Sequence, residues 1–148
     1  MEWQENLIDD REGIMQLLAD TRRVAVLGMR GESHSHKAAF YVPQYLVSAG
    51  LEVIPVPVHP PIADMILGQK TYPTLSDIPG EVDLVDVFGR AEDISGHLED
   101  ILAKQPKAVW FQSGIRNDVV AEKLARAGIK VVQDRCLMVD HRGAARYR

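Results

Sequence analysis

Five consecutive polar side chains in the first third of the chain are suited to binding an anion. Ser33-His34-Ser35-His36-Lys37 offers hydroxyl, imidazole and ammonium groups that can donate hydrogen bonds to phosphate oxygens. The run follows Val24-Ala25-Val26-Leu27-Gly28, a short apolar stretch ending at glycine that is typical of a buried parallel strand. A helix is predicted next, and the free N–H groups of a helix N-terminus also favour anions. The loop from Gly28 to about Ala39 is therefore predicted to bind a phosphate-bearing ligand.

The glycines of this loop match neither of the common nucleotide-binding patterns. Gly28 and Gly31 form G-x-x-G, but Arg30 and Ser33 occupy positions where G-x-G-x-x-G requires glycine, and G-K-[ST] is absent from the sequence. An NAD site also requires a carboxylate after the second strand, where the sequence is IPVPVHP from Ile54. A rim without carboxylates suits an adenosine that carries a phosphate near its ribose.

Other reactive side chains form no recognisable catalytic or metal pattern. His34-x-His36 is not accompanied by the third and fourth ligands that a metal site needs. Ser113 could join Asp134 and His141 in a triad, but Gln112-Ser113-Gly114 is not the G-x-S-x-G nucleophile elbow, which argues against hydrolysis. The absence of a nucleophile–base pair favours ligand binding without catalysis over an enzyme.

Two residues near the end of the chain have structural interpretations. Cys136 is the only cysteine, so it is interpreted as a small buried apolar side chain and not as a disulfide partner or metal ligand. Asp134 and Arg135 are interpreted as a structural ion pair or a contact at the sheet edge.

Length and composition indicate one domain of an ordinary globular protein. The 148 residues are 46% hydrophobic and 26% charged, with a formal net charge of −4. This charge and the lack of a Lys/Arg cluster argue against nucleic acid as a partner. No apolar stretch approaches the roughly 18 residues of a membrane span, and Met1 to Glu5 lacks a signal peptide's pattern, so a cytoplasmic location is expected.

Apolar runs alternate with segments of helical periodicity, which predicts an α/β domain with a mainly parallel, five-stranded sheet. The strands are predicted at Arg23 to Leu27, Glu52 to Val56, Leu84 to Phe88, Ala108 to Phe111 and Lys130 to Gln133. Helices are predicted from Asp9 or Asp10 to Ala19, at Phe40 to Ala49 with Pro43 in the first turn, at Ile62 to Leu67, at Ala91 to Lys104, and at Asp118 to Ala127 with Asn117 or Asp118 as the cap. Residues 1–22 are assigned to an N-terminal helical segment and residues 142–148 to a C-terminal tail.

Two more loops are predicted to reach the edge of the sheet that carries the first loop. Phe88-Gly89-Arg90 follows the third strand and Gln112-Ser113-Gly114 follows the fourth. The carboxyl ends of parallel strands share one edge, where ligands of such folds bind. Gly89 and Gly114 either admit close approach of a ligand or simply form tight turns.

The sequence resembles the CoA-binding domain family, the stand-alone relatives of the N-terminal domain of the succinyl-CoA synthetase alpha subunit. The resemblance extends from about Val24 to His141. It rests on VAVLG from Val24, YVP with YL from Tyr41, VIPV from Val53, ILG from Ile66, VDLVDVF from Val82, VWFQSGI from Val109, and DRCLM from Asp134 with His141. The sequence differs from the family where Pro57-Val58 replaces a frequent Asn-Pro, and where Phe88-Gly89 replaces a frequent Phe-Arg.

This resemblance implies a single Rossmann-like, doubly wound domain with helices on both faces of the sheet, and CoA or an acyl-CoA as the ligand. The first loop would face the diphosphate, the end of the second strand would flank the adenosine, and the third and fourth loops would complete the pocket. The histidine that carries phosphate in the synthetase belongs to a second domain that these 148 residues do not include. The implied binding residues are Gly28, Met29, Arg30, Ser33, His34, Ser35, Lys37, Val56, Pro57, His59, Phe88, Gly89, Arg90, Gln112, Ser113 and Gly114.

Two other functions remain open at this point. The same fold class suits an NAD(P)- or nucleotide-dependent enzyme, although the glycine fingerprint and the acidic residue are missing. The domain could also be a CoA-sensing regulatory subunit of a partner protein. The sequence does not specify an acyl group, a pathway or an oligomeric state.

Overall fold

The computed structural model describes residues 2–145, which form a three-layer α/β structure. The strands are β1 (Arg23–Leu27), β2 (Glu52–Val56), β3 (Met65–Ile66), β4 (Gln69–Lys70), β5 (Leu84–Val87), β6 (Ala108–Phe111) and β7 (Lys130–Val132). The α-helices are α1 (Arg11–Ala19), α2 (Ala38–Ser48), α3 (Leu98–Lys104), α4 (Asp118–Arg126) and α5 (Leu137–Ala145). Short 3₁₀ helices occur at Trp3–Asn6, Glu32–His34, Leu75–Asp77 and Ala91–His97.

Five strands form a parallel sheet in the order β2-β1-β5-β6-β7. All five predicted strands are confirmed, with β5 and β7 each one residue shorter than predicted. The chain passes from β1 to β2 on one side and then returns to place β5 on the other side of β1. The carboxyl ends of β1 and β5 therefore flank the topological switch point, where ligands bind in doubly wound folds.

Each face of the sheet packs against its own helices, which confirms the prediction of helices on both faces. The first face carries α1, α2 and α5 through buried residues such as Leu18, Leu46 and Leu137. The second face carries α3 and α4 through residues such as Ile101 and Leu124. Alternate residues of β1 and β5 enter the two clusters, as expected for strands that are covered on both faces.

The two outer strands of the sheet are both covered by other parts of the chain. The N-terminal segment runs parallel to β7, where Leu7 pairs with Val131 and the Ile8 N–H donates to the Val131 carbonyl oxygen over 2.8 Å. On the opposite edge, the Tyr72 N–H donates to the carbonyl oxygen of Pro55 in β2 over 3.0 Å. This cover satisfies backbone groups that would otherwise form an open sheet edge.

The predicted helix from Ile62 to Leu67 is wrong, because this segment enters the antiparallel hairpin of β3 and β4. Its turn places Leu67 at φ 51° and Gly68 at φ 73°. Two successive positive φ angles are typical of a type I′ hairpin turn, for which asparagine or aspartate usually precedes glycine. Leucine is unusual at this position, so the sequence lacked the ordinary signal for a hairpin.

The terminal segments also differ from the prediction. Residues 142–145, predicted as tail, belong to α5, and residues 146–148 lie outside the described part of the chain. The predicted N-terminal helical segment contains a 3₁₀ turn at Trp3–Asn6 and the longer α1, whose N-cap Asp10 accepts a hydrogen bond from the Gly13 N–H. In residues 2–145, no helix is both long and apolar enough to cross a membrane.

Candidate functional site

A cavity of about 390 Å³ lies at the carboxyl ends of β1 and β2, beside the hairpin of β3 and β4. One wall is the loop after β1 with its 3₁₀ turn, and the other is the segment that follows β2. The lining residues are Met29, Arg30, Gly31, Glu32, Ser33, His34, Pro57, His59, Pro60, Pro61, Ile62, Ala63 and Ile66. The volume lies within the range of small-molecule sites.

Pro43 helps to fix the first wall of this cavity, from a position that the sequence prediction misplaced. The helix α2 begins at Ala38, so Pro43 lies inside it and not in its first turn. Proline has no N–H to donate to the carbonyl four residues earlier, which leaves the Ala39 oxygen free of that bond. The Arg30 N–H donates to this oxygen over 3.1 Å. The carbonyl group that Pro43 leaves unpaired in α2 therefore holds the loop after β1 through Arg30.

Gly28 allows the loops after β1 and β5 to approach each other closely. Its φ is +85°, and its N–H donates to the Val56 carbonyl oxygen over 2.8 Å. A Cβ atom at this position would lie 2.4 Å from the carbonyl oxygen of Phe88. Glycine is therefore required by both the backbone conformation and the space available.

Two cationic side chains, Arg30 and Lys37, lie close enough to His34 to affect its protonation. Desolvation of the ring, together with the charges of Arg30, Lys37, His36 and His59, lowers the pKa of His34 below its ordinary value. Arg30 and Lys37 are the two permanently charged cations among these neighbours, and like charges disfavour the protonated imidazole. An anion at the same place would relieve their mutual repulsion.

The acidic residue of the cavity, Glu32, supports the hairpin. Its Oε2 accepts a hydrogen bond from the Leu67 N–H over 2.9 Å, which ties the 3₁₀ turn to the hairpin turn. Ser33 Oγ lies 3.0 Å from His34 Nδ1. The carboxylate thus positions one cavity wall against the other.

Comparison with known protein families identifies the family of this chain. Residues 22–142 match the CoA binding domain family. The chain belongs to this family. YneT of Bacillus subtilis (strain 168) is 32% identical over 128 residues, which is 86% of this chain and 91% of YneT.

Solved structures agree with the family. The Thermus thermophilus protein named cell-free ID.343 has a TM-score of 0.83 and 36% identity, and the match covers 92% of this chain and 99% of that one. The fold also resembles part of the dinucleotide forming acetyl-coenzyme A synthetase 1 of Ca. Korarchaeum cryptofilum, solved with phosphate and ADP. That likeness has a TM-score of 0.62 and 21% identity and covers 79% of this chain and 27% of the synthetase. The Rossmann-like domain predicted from the resemblance is confirmed.

The structure brings some of the residues implied by the family resemblance to the cavity and leaves others outside its lining. Those in the lining are Met29, Arg30, Ser33, His34, Pro57 and His59. Val56 and Phe88 contribute backbone oxygens against Gly28, as described above. Ser35 and Lys37 are exposed, and Lys37 is the N-cap residue of α2, whose N-terminus has no side-chain cap.

The loops after β5 and β6 lie farther along the sheet edge. Gly89, Ser113 and Gly114 are exposed, and a Cβ atom on either glycine would meet no atom within 4 Å. Arg90 is 80% exposed and forms ion pairs with Glu92 and Asp93. Arg90 is therefore held by local carboxylates and does not line the cavity.

Gln112 has a structural contact that the sequence did not predict. It is buried, and its Oε1 accepts a hydrogen bond from the Leu137 N–H over 3.0 Å, at the start of α5. The side-chain amide of Gln112 thereby links the end of β6 to α5, and the hydrogen bond satisfies its buried oxygen.

The sequence does not predict the hairpin side of the cavity as part of the site. Pro60, Pro61, Ala63 and Ile66 line it, but the sequence prediction placed a helix over most of this segment. The ILG motif at Ile66, which is part of the family resemblance, is the signal in the sequence for this wall. The hairpin places Ile66 Cγ1 4.0 Å from the Cβ position of Gly31, and this contact between distant parts of the chain makes Ile66 a wall of the cavity.

The residues of the discounted triad have other partners. Asp134 Oδ1 accepts from the Gly114 N–H over 2.7 Å, and His141 Nδ1 lies 2.8 Å from the Tyr45 hydroxyl. Arg135 pairs with Asp140 through two hydrogen bonds and not with Asp134, which corrects the predicted ion pair. Among the residues that the structure describes, no group of three histidine, cysteine or acidic side chains could hold a metal ion.

Proposed function

We propose that this protein binds coenzyme A or an acyl-CoA through the loop after β1, and that it does so without catalysis. The observation that carries the proposal is the cavity at the carboxyl ends of β1 and β2, with Arg30 in its lining and Lys37 close enough to His34 to affect it, in a chain of the CoA binding domain family. CoA carries a diphosphate and a ribose phosphate, so it presents the negative charge that this cavity mouth suits.

The diphosphate would lie over the loop after β1 and the start of α2. Arg30 supplies a guanidinium at the cavity wall, and the backbone N–H of Arg30 is already held by Ala39. Because a side-chain cap is absent from α2, its first turn leaves room for anion oxygens as acceptors. Lys37 adds a positive charge at the same helix end.

The adenosine would occupy the part of the cavity between β2 and the hairpin. Pro57, Pro60, Pro61 and Ile66 provide apolar surface suited to the flat face of a base. His59 and His34 face the same space and can donate to a ribose phosphate. The carboxylate in the lining, Glu32, is engaged by the hairpin backbone and not presented to a ribose in the manner of an NAD site.

Removing the Arg30 side chain is expected to weaken CoA binding. A hydrogen bond to a charged group contributes about 2 kcal/mol, so Arg30→Ala should reduce affinity roughly 30-fold. Arg90→Ala is the matched control, because Arg90 is exposed and paired with Glu92 and Asp93 outside the cavity. Isothermal titration at low salt should show Arg90→Ala within about twofold of the unmodified protein. Equal losses in the two variants would contradict the assignment of the diphosphate to this loop.

Titration with NAD⁺ and NADH in parallel tests the nucleotide-dependent enzyme as an alternative. The proposal expects CoA to bind at least about tenfold more tightly, since the fingerprint glycines and the ribose-binding carboxylate of an NAD site are absent. Tighter binding of either nicotinamide nucleotide would reject CoA as the ligand.

A further inference from the structure

A second cavity, of about 510 Å³, lies at the opposite end of the sheet edge, beside β7. It is enclosed by the N-terminal segment, the beginning of α4 and the residues that follow β7. Its lining residues are Trp3, Leu7, Ile8, Asp9, Arg116, Asp118, Ala121, Glu122, Val131, Gln133, Asp134 and Arg135. The proposed diphosphate and adenosine positions do not use this space.

Most charged groups in this cavity already have protein partners. Asp118 pairs with Arg116 at 3.2 Å and accepts from Gln133, and Glu122 pairs with Arg126 at 3.0 Å. Arg135 is held by Asp140. These pairs satisfy the charged groups at the rim.

The apolar side chains of the cavity lie on three different elements. Leu7 and Ile8 come from the N-terminal segment, Ala121 from α4 and Val131 from β7, while Trp3 adds an aromatic ring. Leu7 is 36% exposed and lines the cavity. Ala121 and Val131 are each only 1% exposed, so the accessible apolar surface of the cavity comes from Trp3, Leu7 and Ile8.

The loops after β6 and β7 lie beside this cavity and are joined to each other by hydrogen bonds. The Asp134 N–H donates to the Ile115 oxygen over 3.1 Å, and the Arg135 N–H donates to the Phe111 oxygen over 3.3 Å. With the hydrogen bond from the Gly114 N–H to Asp134, these contacts join the two loops into one continuous ledge. Gly114 leaves open space above this ledge.

The distance along the edge is compatible with the pantetheine arm of CoA. Adjacent strands are about 4.8 Å apart, so β7 lies three spacings, roughly 14 Å, from β1. Pantetheine has about the length of four extended residues, roughly 14 Å. A diphosphate bound after β1 can therefore send its arm over the exposed loops after β5 and β6 to β7.

We propose that the cavity beside β7 binds the acyl group of a neutral, apolar acyl-CoA and disfavours acyl groups that carry a carboxylate. The proposal rests on the proposed function, which places the diphosphate after β1. Four carboxylates line the cavity, those of Asp9, Asp118, Glu122 and Asp134, against two guanidinium groups. Arg116 pairs with Asp118 and Arg135 pairs with Asp140, so carboxylates outnumber guanidinium groups around the cavity and a further carboxylate is disfavoured.

Titration of CoA, acetyl-CoA, hexanoyl-CoA and succinyl-CoA tests this assignment. Each buried CH₂ group favours binding about fourfold, so even partial burial of the hexanoyl chain should give at least roughly tenfold tighter binding than CoA. Succinyl-CoA should bind no more tightly than CoA. Leu7→Asp should abolish the hexanoyl preference and leave CoA affinity within about twofold.

Two further variants separate a local effect from a general one. Val119→Asp places the same charge on α4 at a residue that is 66% exposed and outside the cavity lining, so it should preserve the preference. Trp3→Ala removes lining without adding charge and should reduce the preference severalfold. If hexanoyl-CoA and CoA bind equally, or if Leu7→Asp and Trp3→Ala keep the preference, the acyl site is refuted although CoA binding stands. If no CoA derivative binds, the proposed function fails and the acyl site fails with it.

Discussion

Replacing Gly28 with alanine is expected to abolish measurable CoA binding and to destabilise the fold by about 3 kcal/mol. A left-handed conformation costs a non-glycine residue about 1–2 kcal/mol, and forcing an extra methyl group into filled space adds about 1–3 kcal/mol. The new Cβ atom would lie 2.4 Å from the Phe88 carbonyl oxygen, which is backbone and cannot move away by changing rotamer. The loops after β1 and β5 must therefore separate. The loop after β1 would then no longer have the conformation proposed to bind the diphosphate.

Gly50→Ala provides the matched control for this substitution. Gly50 has φ +93°, close to the +85° of Gly28, but a Cβ atom there meets nothing within 4 Å. It should cost about 1 kcal/mol and leave CoA affinity unchanged, because it introduces backbone strain without a steric clash. Urea denaturation and calorimetric titration measure both effects. If the two alanine variants lose the same stability and the same affinity, the close approach at Gly28 has no functional role.

Replacing Asp86 with asparagine is expected to remove a large pH dependence of stability. Asp86 lies in β5 between Val26 of β1 and Trp110 of β6, and it is fully buried. Within the described part of the chain, neither of its carboxylate oxygens has a hydrogen-bond partner. Burial raises the pKa of Asp86 well above the ordinary value for aspartate.

The sign of the pH dependence follows from this raised pKa. The protonated carboxyl is compatible with the folded core, so stability is fully present below the unfolded pKa of about 4. As pH rises towards the folded pKa, folding must take up a proton, and stability falls by up to about 1.4 kcal/mol per pH unit. An asparagine side chain cannot ionise, so Asp86→Asn should be the more stable protein at pH 8 and should show a flatter profile from pH 5 to 8.

Asp83, three residues before Asp86, provides a contrasting control. Its burial acts to raise the pKa, but hydrogen bonds from the backbone N–H groups of Arg23 and Arg22 and from Lys107 outweigh this effect and lower the pKa. Asp83→Asn should therefore destabilise the protein at neutral pH, and the difference should disappear as pH falls through the lowered pKa. Chemical denaturation across the pH range measures both variants. Parallel profiles for Asp86→Asn and the unmodified protein would contradict a neutral, buried carboxyl.

The parallel sheet could be predicted from the sequence because its strands are short apolar runs separated by helical periodicity. Arg23–Leu27 and Ala108–Phe111 have the bounds that the sequence predicted. Burial on both faces makes such strands almost wholly apolar, which is a local property of the sequence. Asp86 is the exception within β5, and its burial follows from its neighbours in the sheet.

The parts of the site that could not be predicted depend on contacts between distant residues. The hairpin wall was missed because Leu67 takes a positive φ, and its backbone N–H is held by Glu32, 35 residues earlier. The sequence predicts Pro43 in a first turn because a helix-internal proline loses a hydrogen bond. The structure offsets this loss locally, since Arg30 donates to the oxygen that Pro43 leaves free. Such compensation cannot be seen in the residues around Pro43 alone.

A crystal structure of the protein with CoA tests the central claim most directly. The account predicts diphosphate oxygens within hydrogen-bond distance of the Arg30 side chain and of backbone N–H groups between Gly28 and the start of α2, with the adenine between Pro57 and the hairpin. Diphosphate bound elsewhere, or a cavity after β1 that stays empty at saturating CoA, would contradict it.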